Sequence, residues 1–149
     1  MKKRIIALGL LWCLSAVMLQ AARVDTVLVR SAAMNKDVKV VYVLPDKAIG
    51  KQACPVVYLF HGYGGNARSW VQLKPELPQM ADEKGIIFVC PDGKNSWYWD
   101  SPENPAYRYE TFVTSELVKY TDGNYATIPD RKARAISGLS MGGHGALWS

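Results

Sequence analysis

Cysteine and histidine are scarce in this sequence, and each scarcity narrows the functions open to it. Of the three cysteines, Cys13 lies in an apolar leader, so only Cys54 and Cys90 remain for the body of the chain. Histidine occurs twice, as His61 and His144. Charge of one sign is also lacking. The net charge is +5, but Lys2, Lys3 and Arg4 supply three of those charges, and no basic run follows them. That balance is too weak to hold a phosphate backbone, so no nucleic-acid partner is expected. Internal repeats, low-complexity tracts and interdomain linkers are absent, and the length suits one domain. No pattern calls for a metal or an organic cofactor.

Apolar residues make up 49% of the chain, enough for a packed core and against a disordered reading. Residues 1–22 read as a secretory signal. Lys2-Lys3-Arg4 is its basic start, and Ile5–Leu19 is an apolar run of fifteen residues, short for a membrane span. Small residues at Ala21 and Ala22 offer a cleavage site, although Leu19 or Gln20 at the −3 position fits it imperfectly. Export to the periplasm or the medium is expected, with no membrane attachment after cleavage; an uncleaved anchor is the alternative. Trp12 is a poor neighbour for lipid attachment at Cys13.

The remaining chain, 23–149, alternates strand and helix signals. Val24–Arg30 and Asp37–Leu44 are rich in β-branched residues and joined by a short polar link, which predicts an antiparallel hairpin. Asp46–Ala53 reads as a loop. Val56–Phe60 and Ile86–Cys90 are unbroken apolar runs, as strands buried on both faces of a parallel sheet require. A helical turn near Asn66–Trp70 and a helix over Pro78–Lys84, closed by Gly85, lie between them. A second helix is predicted over Tyr109–Tyr120, stopped by Thr121–Asn124, then a strand over Ala133–Ser137 and a helix from Gly143. This alternation predicts an α/β fold: a hairpin, then parallel strands with helices on both faces. If the strands containing Cys54 and Cys90 are parallel neighbours, the two thiols lie at opposite ends, roughly 15 Å apart and beyond disulfide reach.

Gly138-Leu139-Ser140-Met141-Gly142 follows the last strand and opens the last helix. Gly-x-Ser-x-Gly in that setting is the signature of a nucleophile elbow, a strained strand-to-helix turn that lifts a serine hydroxyl above the sheet. The backbone N–H of Met141 would then be one oxyanion donor. A second glycine cluster, His61-Gly62-Tyr63-Gly64-Gly65-Asn66, follows the strand Val56–Phe60. It is either a plain turn or a loop whose backbone, through the N–H of Tyr63, supplies the other donor. His61 is expected to anchor that loop. His144, four residues after Ser140, sits on the first turn of the following helix, a poor place for a base. Lys94–Arg108 is a loop carrying Trp97, Tyr98, Trp99 and Tyr107. Its aromatics, Trp97 and Trp99 above all, either line a substrate cleft or pack the loop onto the domain.

These motifs together resemble the esterase branch of the α/β-hydrolases. That branch includes esterase D-like and S-formylglutathione hydrolase-like enzymes, feruloyl and acetylxylan esterases, and mycolyltransferases. The resemblance runs from about Val24 to the end. It rests on His61–Asn66, Ser96-Trp97-Tyr98-Trp99-Asp100-Ser101-Pro102, Tyr109-Glu110-Thr111-Phe112 leading into Glu116-Leu117, and Gly138–Gly143. It implies an α/β-hydrolase fold with Ser140 as nucleophile and donors at Tyr63 and Met141. In that family the acid and histidine follow the serine. Here nine residues follow Ser140, none of them acidic. The expectation is therefore an amino-terminal part of a longer esterase domain, truncated after the elbow and inactive by itself.

The function expected of the whole is a serine carboxylic-ester hydrolase that forms an acyl-enzyme on a small-molecule or carbohydrate ester. One alternative is a non-catalytic binding module on a hydrolase scaffold. Another is a serine peptidase of the same fold.

Overall fold

The structure, a computed structural model, describes residues 22–149. The expected leader therefore lies outside the described residues except for Ala22. Among the described residues no helix is long and apolar enough to cross a membrane.

A five-stranded sheet organises the chain. Strands β1 (Arg23–Ser31) and β2 (Lys36–Leu44) form the expected antiparallel hairpin, with Val27 opposite Val40. Strands β3 (Val56–Phe60), β4 (Ile87–Pro91) and β5 (Arg134–Gly138) follow, and the spatial order is β1-β2-β4-β3-β5. β3 runs parallel to both β4 and β5.

Period-2 alternation divides the core between the two faces. Val40, Tyr42, Val56, Tyr58, Phe60, Ile87 and Val89 point to one side. Val41, Val43, Leu59, Phe88 and Cys90 point to the other. Helices cover both sides. The second face receives Leu77 and Ala81 of α3 (Leu77–Lys84), which follows the short helix α2 (Ser69–Leu73). The first receives Phe112, Val113 and Leu117 from the helical stretch 109–124, and Met141 from α6 (Met141–Trp148). Gly85 closes α3 at φ 63°, a left-handed cap that glycine adopts without steric cost. β1 and β5 form the two edges.

Two segments differ from the sequence reading. The loop Asp46–Ala53 contains a short helix, α1 (Asp46–Ile49), whose Ala48 and Ile49 amides donate back to the Pro45 carbonyl. The stretch 109–124 comprises α4 (Tyr109–Thr111), a π-wound turn (Phe112–Glu116) and α5 (Leu117–Asn124), so it runs past Tyr120 and through Gly123. Side chains hold that last turn together: Thr121 Oγ1 donates to the Leu117 carbonyl at 2.7 Å and Asn124 Nδ2 to the Tyr120 carbonyl at 2.8 Å. At the π turn, Glu116 accepts from Ser31 Oγ at 2.6 Å and from the Ala33 amide at 2.9 Å, which pins the helix to the hairpin tip.

Cys54 and Cys90 are both buried free thiols. The pairing of Val56 with Ile87 places Cys90 five residues beyond the level of Cys54, a separation of roughly 15 Å. Burial pushes the Cys90 thiol up to about 12.

Candidate active site

Ser140 stands between β5 and α6 at φ 54°, ψ −114°, a backbone conformation that a residue with a Cβ adopts only under strain. Such strain costs about 1–3 kcal/mol and persists only where the surroundings enforce it. Here the enforcement is contact between backbones. A Cβ on Gly138 would come within 2.2 Å of the Gly142 carbonyl carbon and oxygen. A Cβ on Gly142 would come within 2.2 Å of the Phe60 carbonyl oxygen. The turn is tied down by the Leu139 amide, which donates to the Phe60 carbonyl at 3.2 Å, and by the His144 amide, which donates to the Ser140 carbonyl at 3.0 Å. As a result Ser140 is exposed while Met141, the next residue, is fully buried.

The glycine loop after β3 lies against this turn. A Cβ on Gly62 would sit 3.6 Å from Ser140 Cβ and 3.3 Å from the Leu139 carbonyl oxygen. Together Gly62, Tyr63, Gly65, Ser69, Leu73 and Leu139 border an open cleft of about 450 Å³. The loop's amides divide into two groups. The Gly64 amide donates to Asn95 Oδ1 at 2.8 Å, and the Gly65 amide to the Gly62 carbonyl at 3.0 Å. The amides of Tyr63 and Met141 donate to no protein acceptor among the described residues.

His61 is buried behind the loop, as its expected anchoring role requires. Its Nε2 accepts from the Gly93 amide at 3.0 Å, which assigns the ring proton to Nδ1. Nδ1 then donates to the Gly62 carbonyl at 2.7 Å. The His61 amide donates to the Tyr98 hydroxyl at 3.0 Å. His61 thus joins the ends of β3 and β4. His144 is exposed on α6, its ring edge-on to Trp97 at 5.5 Å and parallel to Trp148 at 6.4 Å. Among the described residues no hydrogen bond joins either imidazole to Ser140.

Asp92 lies beside His61, with 3.6 Å between Asp92 Oδ1 and His61 Nε2. Burial disfavours its carboxylate, but contacts from His61 and Lys94 outweigh burial and hold the group well below the usual carboxylate range. His61 Nε2 already accepts from Gly93, so we assign most of that effect to Lys94, whose amide and Nζ donate at 3.0 and 2.9 Å. A depressed carboxyl stabilises the fold above its unfolded value of about 4, and that contribution is lost as pH falls through the folded value. Unfolding free energy measured by denaturant titration should therefore fall as pH drops below about 4, and fall less steeply in Asp92→Asn. Equal slopes in the two proteins would contradict this assignment.

Within the loop Lys94–Arg108, buried and exposed side chains alternate over residues 96–99. Ser96 and Tyr98 are buried, whereas Trp97 and Trp99 are exposed. Tyr98 packs the loop down, stacked on Phe60 with ring centroids 4.2 Å apart. Trp97 and Trp99 border a separate cleft of about 470 Å³ with His144 and Trp148. Asp100 accepts from the Thr111 amide and hydroxyl at 3.1 and 2.5 Å, so the loop also caps the helical stretch that follows it.

Sequence reasoning missed the parts played by Asn95, Tyr98 and Trp148. Tyr98 carried no pattern signal, because Trp97 and Tyr98 lie in a turn with both residues at φ 57°. Asn95 and Trp148 carried none, because their partners Gly64 and Glu110 are 31 and 38 residues away. No group of three or more histidine, cysteine or acidic side chains is arranged for a metal among the described residues.

A strained serine between a parallel strand and a helix, beside a glycine loop on the neighbouring strand, defines an α/β-hydrolase scaffold. Comparison with known proteins agrees. The chain belongs to the Esterase family, described as Putative esterase, whose model matches residues 31–149. It is 29% identical over 125 residues to an acetyl esterase of Caldicellulosiruptor saccharolyticus, covering 78% of this chain and 46% of that protein. It is 31% identical over 128 residues to the S-formylglutathione hydrolase of Bos taurus, covering 72% and 44%. Among solved structures, S-formylglutathione hydrolase from Agrobacterium tumefaciens superposes with a TM-score of 0.75 at 28% identity, covering 85% of this chain and 52% of that one. A ferulic acid esterase gives 0.73 at 30% identity, covering 85% and 54%. The chain spans about half the length of these relatives.

Proposed function

We propose that this chain carries the nucleophile and oxyanion donors of a serine carboxylic-ester hydrolase. The observation that carries the proposal is the pairing of an exposed, strained Ser140 with the backbone amides of Tyr63 and Met141, which have no protein acceptor among the described residues. In the reaction, Ser140 Oγ gives its proton to a general base and attacks the ester carbonyl carbon. The carbonyl π electrons move to oxygen, where the Tyr63 and Met141 N–H groups receive the charge. Collapse of this intermediate breaks the bond to the alcohol, which leaves with the proton. Water, deprotonated by the same base, then releases the acid from the acyl-serine. The base is neither His61, whose ring nitrogens are both engaged with backbone, nor His144, whose ring is packed between Trp97 and Trp148.

His61 contributes as a positioning residue. The Gly62 carbonyl and the Tyr63 N–H belong to one planar trans peptide and point in opposite directions. By holding that carbonyl, His61 Nδ1 sets where the Tyr63 N–H is aimed. Replacing His61 by alanine should lower kcat about ten- to a hundredfold with little change in KM, less than the ~10²–10³ of losing a donor outright. Asn at position 61 can place an amide N–H near the Nδ1 position, so it should recover part of the loss. A change in KM alone, or no recovery with Asn, would remove His61 from this role.

The substrate class is tested with the native protein on parallel panels of acetyl, feruloyl and thioester substrates and of short peptides. Hydrolysis of at least one ester, with peptides untouched, is expected. Peptide cleavage would favour the peptidase alternative. Turnover of nothing would favour a binding module.

A further inference from the structure

We propose that Asn95 is a positioning residue for ester hydrolysis: it clamps the Tyr63–Gly64 peptide and so fixes the aim of the Tyr63 N–H at the developing oxyanion. Its use in catalysis rests on the esterase reading above; the clamp itself does not.

The glycine loop after β3 needs such a clamp. Gly62-Tyr63-Gly64-Gly65 form a turn closed by the Gly65 amide, which donates to the Gly62 carbonyl at 3.0 Å. Gly64 stands at φ 77° and Tyr63 at negative φ, which makes the turn type II. A type I turn over the same residues keeps the Gly62–Gly65 bond and differs in the Tyr63–Gly64 peptide, which is turned over. Sterics do not choose between the two. Glycine adopts either sign of φ at little cost, and nothing lies within 4 Å of a Cβ placed on Gly64. The choice falls to a hydrogen bond. The Gly64 amide donates to Asn95 Oδ1 at 2.8 Å, and turning the peptide over breaks that bond.

Asn95 is carried by the same short segment that holds His61. The Gly93 amide donates to His61 Nε2, and His61 Nδ1 donates to the Gly62 carbonyl. Just beyond Gly93, Asn95 takes the Gly64 amide. The segment between them is tight. Ser96 donates to the Gly93 carbonyl through its amide at 3.2 Å and its hydroxyl at 2.6 Å, and Asp92 accepts from the Lys94 amide at 3.0 Å. Asp92, Ser96 and His61 are all buried, so the support is rigid. The two clamps flank Tyr63. His61 fixes the Gly62–Tyr63 peptide and Asn95 fixes the Tyr63–Gly64 peptide. The φ and ψ of Tyr63 are the only soft rotations between those two planes, so side chains outside the turn set both. The Tyr63 N–H, which has no protein acceptor among the described residues, therefore keeps one direction. A donor fixed in advance needs no reorganisation at the moment of reaction. Asparagine also supplies the accepting oxygen without the negative charge that a carboxylate would add beside a developing oxyanion.

The clamp and its catalytic use are tested separately, on the native protein. Amide hydrogen exchange followed by NMR reads the clamp. After correction for intrinsic rates, Gly64 should exchange more slowly than Tyr63, and Asn95→Ala should bring the two rates together. Ester hydrolysis reads the use. Asn95→Ala should lower kcat about tenfold with KM little changed, less than the ~10²–10³ of losing a donor outright. Asn95→Asp keeps the accepting oxygen but adds a charge, so it should restore slow exchange at Gly64 and only part of kcat. The double variant His61→Ala/Asn95→Ala should lose less than the product of the two single losses, because both clamps act on one N–H. Asn104→Ala is the control. Asn104 Oδ1 also accepts from a backbone amide of its own loop, that of Ala106 at 3.0 Å, and its removal should leave kcat unchanged. Gly64 exchanging as fast as Tyr63 in the native protein would overturn the clamp. Unchanged kcat in Asn95→Ala, losses that multiply in the double variant, or aspartate no better than alanine would overturn the positioning role. If Ser140→Ala hydrolyses as fast as the native protein, the esterase reading fails instead, and exchange at Gly64 still decides the clamp.

Discussion

Ser140→Ala should reduce ester hydrolysis by the native protein about 10⁴- to 10⁶-fold, the loss usual when a serine nucleophile is removed. The fall should appear in kcat, because the hydroxyl forms a bond rather than holding the substrate. The fold should survive, since Ser140 is exposed and its side chain has no hydrogen-bond partner among the described residues. A second variant separates chemistry from structure. Ser140→Gly removes the same hydroxyl and also relieves the strain of φ 54°. It should be as inactive as the alanine variant and at least as stable, because relief of the strain offsets the extra chain entropy of glycine. Undiminished turnover in either variant would place the chemistry elsewhere.

Gly142→Ala, like Gly138→Ala, should give a large loss of stability. The added carbon would lie 2.2 Å from the Phe60 carbonyl oxygen, and the obstacle is backbone, with no side chain to swing away. Relief requires α6 to move off β3, breaking the contacts that define the elbow. Such overpacking costs about 3 kcal/mol or more where both partners are rigid. Gly123→Ala is the internal control. It lies in α5, nothing stands within 4 Å of its added carbon, and its φ is not positive. Alanine there should be neutral or stabilising by up to about 1 kcal/mol, the helix-propensity difference. Denaturant midpoints measure both. If the two variants match, the close approach at Gly142 does not constrain the elbow.

The sequence made some of these features legible and hid others, and the division is physical. β3 and β4 were readable because strands buried on both faces must be apolar at every position, and the runs Val56–Phe60 and Ile86–Cys90 meet that demand, although the second strand spans Ile87–Pro91. The elbow was readable because its geometry admits only glycine at two fixed offsets from the serine. α1 escaped because a single turn stabilised by Pro45 carbonyl bonds has no apolar period. The π turn over Phe112–Glu116 escaped because a shift of backbone hydrogen bonds leaves the side-chain pattern almost unchanged. At the candidate site, Ser140 and the glycine loop were visible as local motifs. The Asn95–Gly64 and Tyr98–His61 bonds were not, since each joins residues more than thirty positions apart. Trp97 and Trp99 stood out as aromatics, but their partner Trp148 became a cleft wall only once α6 lay beside the loop.

The central claim is that Ser140 becomes acylated during turnover. Its most direct test is to treat the native protein with a fluorophosphonate ester, digest it and locate the adduct by mass spectrometry. The account predicts one phosphonyl group per chain, on the peptide containing Gly138-Leu139-Ser140-Met141-Gly142, with ester hydrolysis lost in proportion to labelling. Full loss of hydrolysis with the adduct on another residue, or sustained hydrolysis with Ser140 fully modified, would contradict it.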